Sequence, residues 1–282
     1  MTIRSLRKET KEVLNELLLD DADVLTDILL SHHLGVERGE LLAKLDEVAP
    51  TGLNHKLVED INALSTGMPI QYILGSCWFY GIEIKIGKGV FIPRSDTELL
   101  VKASLGVLKD GDSFVEFCAG SGCVSRAIAE NMPSVRGAAL ELSRAALPYT
   151  EHNLKDNHNI KVKRLDVLDT DDYDALVLEW GDRFDVLVCN PPYIPTADIP
   201  NLSPQVQFEP ETALDGGENG LKYYRYIIAN ADRILKDEHT ILFEVGIGQA
   251  QLVASMLELM GYAVAIFKDY GGIDRVVMGK KY

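Results

Sequence analysis

The run Asn190-Pro191-Pro192-Tyr193 follows directly on the apolar Val186-Leu187-Val188-Cys189. Proline has no N–H to give to a sheet ladder, so a strand must end here. The asparagine side-chain oxygen accepts a hydrogen bond from an NH2 group. Pro191 adds a backbone carbonyl with no competing N–H, and Tyr193 offers a flat face. Two fixed φ angles stiffen the turn and preorganise it. Two acceptors and a ring form a clamp for a planar NH2 group, the group carried by amides and aromatic amines. The lone pair of such a nitrogen is delocalised and weakly nucleophilic. A site that orients it toward an electrophile works through proximity rather than strong base chemistry. The plainer alternative is a rigid loop with no chemistry.

A second constellation decides between them. Cys118-Ala119-Gly120-Ser121-Gly122 lies between a strand-like and a helix-like run. Glycines there allow a tight turn and close approach of backbone to ligand. A lone Gly-x-Gly is a weak signal. Glu141 stands 19 residues beyond Gly122, an offset suited to accepting both hydroxyls of a ribose. Asp166-Val167 ends a further strand candidate, where an acid can accept from an adenine amino group and a valine can pack on the ring. Asp166 read alone is equally well a loop carboxylate. The dinucleotide pattern has a third glycine where this chain has Ser125, and no Walker lysine is present. Glu116 opens the turn, which suits a cationic ligand better than a pyrophosphate. S-adenosylmethionine, with its ammonium, sulfonium, ribose and adenine, fits these residues, and methyl transfer to nitrogen fits the clamp.

These residues need a sheet to bring strand ends together. From Ser95 onward strand-like stretches at 113–117, 135–140, 160–164, 184–189, 240–245, 263–267 and 275–278 alternate with helix-like ones such as 124–130, 221–235 and 249–260. Several strands are apolar throughout, as strands buried on both faces are. That rhythm predicts an α/β fold with a mainly parallel sheet, whose strand ends meet along one ligand-binding edge. Ser95-Asp96-Thr97-Glu98 has the spacing of a helix capping box. Ahead of it, residues 69–94 are rich in aromatic and β-branched types, and Ile82, Ile84 and Ile86 alternate with Glu83 and Lys85, predicting a hairpin. The first 68 residues carry leucines at helical spacing: Leu14, Leu17 and Leu18; Leu25 and Leu29; Leu41, Leu42 and Leu45 within a stretch at 40–48; Leu57, Ile61 and Leu64. They predict a small helical bundle without chemistry of its own.

Composition narrows the class. A hydrophobic fraction of 46% and a charged fraction of 25% belong to an ordinary globular chain. No apolar run approaches the ~20 residues of a membrane span, and the opening MTIRSLRKETKEVL lacks a signal-peptide core. A cytoplasmic location is expected. The net charge of −15 argues against a large nucleic-acid surface. Cys77, Cys118, Cys123 and Cys189 form no CxxC pair, so reduced, packed thiols are expected, with no metal site.

Further motifs accompany the clamp: Gln71-Tyr72-Ile73-Leu74-Gly75, Ile92-Pro93-Arg94 with Thr97-Glu98, Phe208-Glu209-Pro210, Ala213-Leu214 with Gly217 and Gly220-Leu221, Glu244-Val245-Gly246 with Gln249, and Asp274-Arg275-Val276-Val277. With Asn190 to Tyr193, the chain resembles over nearly its whole length the peptide chain release factor glutamine N5-methyltransferases. The resemblance implies a class I, Rossmann-like methyltransferase domain (95–282) with a seven-stranded sheet whose last strand is antiparallel. A helical substrate-engaging domain (1–68) and a linking β-hairpin (69–94) would precede it. It implies S-adenosylmethionine as cofactor, S-adenosylhomocysteine as product and no metal. The cofactor would be held by Cys118, Ala119, Gly120, Ser121, Gly122, Glu141, Asp166, Val167 and Asn190. Catalysis would fall to Asn190, Pro191, Pro192 and Tyr193. The implied substrate is the glutamine of the Gly-Gly-Gln loop of class I release factors, and the implied role is in translation termination. The chain departs from the family's usual Asp-Leu-Gly-Thr-Gly at Glu116, Cys118 and Ala119, from its Pro-Glu at Ser95-Asp96, and from its ribose aspartate at Glu141. Two alternatives remain at this level. One is a DNA or RNA adenine N6-methyltransferase, which uses the same clamp but which the acidic charge opposes. The other is a degenerate binding protein, motivated by Cys118 and Ala119.

Overall fold

The computed structural model describes residues 1–17 and 20–282; the expected helical position Leu18 lies outside them. The chain divides into two units, one of Met1–Gly75 with Pro204–Phe208, the other of Ser76–Ser203 with Glu209–Tyr282.

The first unit is helical. Helices α1 (Ile3–Glu16), α2 (Ala22–Leu34), α3 (Arg38–Leu41), α4 (Leu53–Ser65) and α5 (Ile70–Leu74) enclose Leu6, Leu14, Leu29, Leu30, Leu41 and Leu57. The Thr2 hydroxyl caps α1 by accepting the Ser5 N–H, and Gly35, at φ 65°, ends α2 in the left-handed turn that only glycine enters freely. The stretch at 40–48 is not one helix. It is the end of α3, a 3-10 turn at Leu42–Lys44 and irregular chain, because Leu41 and Leu45 alone are buried while Leu42 is exposed. The expected hairpin at 69–94 likewise opens as helix α5.

The second unit starts with β1 (Ser76–Phe79) and β2 (Ile82–Lys85), an antiparallel hairpin turned by Tyr80 and Gly81, both at positive φ. Ile82 and Ile84 are buried and Glu83 and Lys85 exposed, as the alternation predicts. After α6 (Glu98–Val107) come β3 (Ser113–Phe117), α7 (Cys123–Asn131), β4 (Arg136–Glu141), α8 (Leu147–Leu154), β5 (Ile160–Arg164), α9 (Thr170–Trp180) and β6 (Phe184–Cys189). The short α10 (Pro204–Gln207) belongs to the first unit; α11 (Lys222–Asn230), β7 (Leu235–Glu244), α12 (Ala250–Leu259), β8 (Ala263–Lys268) and β9 (Asp274–Lys281) complete the second. The sheet has seven strands in the order β5-β4-β3-β6-β7-β9-β8. Its pairs are parallel except those of β9, the last strand, which inserts antiparallel between β7 and β8. The resemblance implied that arrangement. Helices on both faces bury the strands; every residue of β3 is buried.

Two expectations fail locally. The helix-like run at 221–235 ends at Asn230 and gives way to a 3-10 turn, and Leu235 instead opens β7 opposite Phe184. Ile228, Ala231 and Leu235 keep helical spacing across that boundary, so the local pattern does not show where helix gives way to strand. Ser95-Asp96-Thr97-Glu98 makes no capping box. Ser95–Thr97 is a 3-10 turn, and the Glu98 carboxylate accepts the Tyr80 N–H at 2.8 Å, a hairpin contact that local spacing does not reveal. No helix among the described residues is long and apolar enough to cross a membrane.

Candidate active site

From β3 the chain runs to β4 on one side, while β6 lies on β3's other side. The strand ends therefore part at a topological switch point, where open α/β sheets bind ligands. Phe117 pairs with Cys189, so the glycine turn after β3 and the proline turn after β6 leave the sheet side by side.

A cavity of about 440 Å³ opens there. Of the sequence-derived site residues, Cys118, Ala119, Gly120, Ser121, Glu141, Asp166, Val167, Asn190, Pro191, Pro192 and Tyr193 all line it. Gly122 does not. It caps α7 at φ 76°, where a Cβ would come within 3.0–3.1 Å of Thr150 and Leu154, so its part is to let helices pack. Gly120, at φ 55°, lines the cavity, and a Cβ there would meet no protein atom within 4 Å. The space is open on the ligand side. Cys118 also sits at positive φ, 58°. A side chain in that region costs about 1–2 kcal/mol, which is the physical content of the departure from glycine. Hydrogen bonds hold the turn: Ala119 N–H to Leu140 O at 2.9 Å, Thr150 Oγ1 to Gly120 O at 2.7 Å, and Asn153 Nδ2 to Ser121 O at 2.9 Å.

Three carboxylates stand at the ends of β3, β4 and β5. Glu116 is 3% exposed and accepts the Ser125 N–H at 2.9 Å and the Ser125 hydroxyl on the same oxygen, Oε2. Burial pushes its pKa up to about 8, against the Ser125 hydrogen bonds and with a smaller push from Glu141. A cation in the cavity would draw that proton off. Glu141 accepts Gly120 N–H at 2.7 Å on Oε2 and Ser143 N–H at 2.6 Å on Oε1, which leaves lone pairs for two hydroxyls. Burial raises its pKa, and the backbone donors oppose this. Asp166 is tied to Leu168 N–H at 2.9 Å, and Val167 is buried beside it. A cationic nucleoside fits this donor-poor, acceptor-rich wall. No group of three or more metal-ligating side chains is assembled among the described residues.

The proline turn is built from behind by motifs the sequence shows without their purpose. Gln249 Nε2 donates to Tyr193 O at 2.8 Å, and Ile194 bridges Asp215. Gly216 and Gly220 press so closely that a Cβ would lie 2.7 Å from Tyr193 Cα and 2.2 Å from Tyr193 O respectively. The Asn190 amide donates through Nδ2 to Thr97 Oγ1 at 3.3 Å, which turns its oxygen away from Thr97. The other rim is fixed by the Arg94–Glu209 ion pair and by Ile92 N–H donating to Glu209 at 2.9 Å. This pair joins the Ile-Pro-Arg and Phe-Glu-Pro motifs and sets Phe91, Pro93 and Pro210 along the cavity. Residue-level reasoning gave these motifs no role and missed Tyr223, an aromatic wall of the cavity contributed by α11. Its only sequence signal is its place two residues after Gly220-Leu221.

Residues 5–75 match the PrmC N-terminal domain model and residues 86–202 the methyltransferase small domain model. The chain is similar in fold to a solved methyltransferase from Pyrococcus furiosus (TM-score 0.51, 13% identity, 82% of this chain and 99% of that one). It is similar also to the hMettl16 catalytic domain solved with a MAT2A 3'UTR hairpin (TM-score 0.54, 13% identity, 82% of each). It is 35% identical to the release factor glutamine methyltransferase of Geobacter sulfurreducens over 99% of this chain and 96% of the relative. It is 34% identical to that of Thermodesulfovibrio yellowstonii over 90% of each. With the glycine turn and the Asn-Pro-Pro-Tyr turn meeting in one cavity, the chain belongs to the release factor glutamine methyltransferase family.

Proposed function

We propose that this protein transfers the methyl group of S-adenosylmethionine to the side-chain amide nitrogen of the glutamine in the Gly-Gly-Gln loop of class I peptide chain release factors, releasing S-adenosylhomocysteine and modulating translation termination. The observation that carries the reading is the shared cavity. An acceptor-rich nucleoside wall and an amide clamp open into the same space at adjoining strand ends. Bound cofactor supplies an electrophilic methyl on a sulfonium, chemistry that needs no Lewis acid.

The chain's own residues do the rest. Glu141 takes the ribose hydroxyls, Asp166 and Val167 the adenine, and Cys118 to Ser121 present backbone to the methionine portion. Glu116 supplies negative charge beside it. Asn190 Oδ1 and the Pro191 carbonyl accept the two amide hydrogens, and Tyr193 covers the amide plane. The nitrogen is thereby aligned with the methyl group, and the proton it loses passes to water, because neither acceptor is basic enough to keep it. Residues 1–68 serve to engage the release factor, 69–94 to link, and 95–282 to methylate. The location is cytoplasmic. The net charge of −15 suits a protein substrate better than a nucleic acid.

Incubation with labelled S-adenosylmethionine and recombinant release factors, followed by peptide mapping, tests the proposal. A single methyl on the Gly-Gly-Gln glutamine is expected. Label on nucleic acid, or none on the release factor, overturns it.

A further inference from the structure

Glu244 ends β7 next to the clamp. Cys189 pairs with Phe243, so Asn190 and Glu244 leave the sheet side by side. Glu244 is 2% exposed and does not itself line the cavity. Tyr193 Oη donates to its Oε1 at 3.5 Å, and Oε2 has no hydrogen-bond partner. Such a carboxylate is expensive to bury, and nothing in the sheet requires it. Beside it, the Asn190 Nδ2 donates to Thr97 Oγ1. The Thr97 hydroxyl has one proton; having accepted from Asn190, it has that proton to give to an acceptor. Thr97 and Asn190 both lie against the Glu244 carboxylate and favour its charged form.

An asparagine amide is nearly symmetric in shape and opposite in chemistry at its two ends. Flipped, the clamp would present NH2 to the substrate's NH2. We propose that Glu244 is a positioning residue whose carboxylate, able only to accept, holds the Asn190 NH2 toward Thr97 and so keeps Oδ1 facing the substrate nitrogen. This rests on the amide-methylation reading above.

A protonated Glu244 can donate and loses that discrimination. Burial pushes its pKa up to about 7, with Asp96 raising it further and Thr97, Arg275 and Asn190 lowering it. Tyr193 and Tyr224 also face it, and the Cys123 and Cys189 thiols feel its charge. The clamp therefore locks as pH rises through about 7.

The test compares the full-length wild type with Glu244→Gln and Glu244→Asp in single-turnover methylation of a release factor at saturating cofactor, from pH 6 to 8.5. Wild-type kcat should rise with a midpoint near 7. Glu244→Gln should be at least tenfold slower and flat with pH, with cofactor Kd changed less than twofold. Glu244→Asp, still acceptor-only, should recover part of the rate and the pH limb. An independent readout is the 15N side-chain signal of Asn190 in ligand-free wild type, identified by its loss in Asn190→Ser, which should titrate near pH 7. A Glu244→Gln enzyme with wild-type kcat and pH profile, or an Asn190 signal without a titration, overturns the inference. Failure of the wild type to methylate any release factor would instead overturn the functional reading, and the Asn190 titration still decides the lock.

Discussion

Glu141→Gln separates cofactor affinity from turnover, and its size follows from the hydrogen bonds around the carboxylate. Each oxygen holds one backbone N–H, Gly120 at 2.7 Å and Ser143 at 2.6 Å, in a residue 8% exposed. Glutamine keeps the shape but has one acceptor and one donor. One backbone N–H then faces an NH2 group and is left unsatisfied, a loss of about 1–3 kcal/mol of stability. In the complex one ribose hydroxyl likewise loses a charged acceptor, worth about 1.5–3 kcal/mol. That is roughly a 10- to 150-fold rise in Kd for S-adenosylmethionine. Once bound, the methyl group and the clamp are untouched, so kcat at saturation should change less than tenfold. Titration calorimetry gives the Kd, single-turnover methylation the rate, and thermal unfolding the stability loss. A Kd within twofold of wild type would refute the ribose assignment. So would a large fall in kcat at unchanged Kd.

Asn190→Ala should slow methyl transfer about 100-fold or more through misalignment, with cofactor Kd little changed, as rapid-quench and calorimetric measurements would show. Arg94→Ala leaves the Glu209 carboxylate, whose side chain is 1% exposed, without its cation. Because Arg94 is itself 36% exposed, the cost should be only about 1–3 kcal/mol. It should be larger at pH 8 than at pH 5, and urea unfolding of the single variant and of Arg94→Ala/Glu209→Gln would reveal the rescue. Glu116 and Glu244 have folded pKa values of about 8 and about 7, above the usual glutamate value of 4.5. The ligand-free fold therefore binds more protons than the unfolded chain, and its stability should fall as pH rises from about 5 to 8, by a few kcal/mol at most. Urea unfolding at both pH values checks this, and a Glu116→Gln variant should lose part of the slope.

The chemistry of this protein is legible in its sequence because it resides in residues that are close in the chain. Asn190 to Tyr193 is a stiff turn whose acceptors and ring are fixed by residue type, and Cys118 to Gly122 is a turn whose glycines declare its φ angles. The alternation of strand and helix runs required a parallel sheet, and parallel sheets gather such turns at one edge. What the chain could not show is which distant groups meet them. Glu98 has the spacing of a cap, yet its carboxylate accepts from Tyr80, a hairpin residue 18 positions away in the chain. Leu235 continues the helical spacing of Ile228 and Ala231, yet it becomes strand because it pairs with Phe184. Gly216, Gly220 and Gln249 look like loop and helix residues until Tyr193 is seen pressed against them. Arg94 finds Glu209 across 115 residues of chain, and Asn190 meets Glu244 because β6 and β7 are neighbours in the sheet. Local residue types set what each turn can bind. Strand order and long-range packing decided what orients it, because hydrogen bonds and buried charges depend on separation in space and not in sequence.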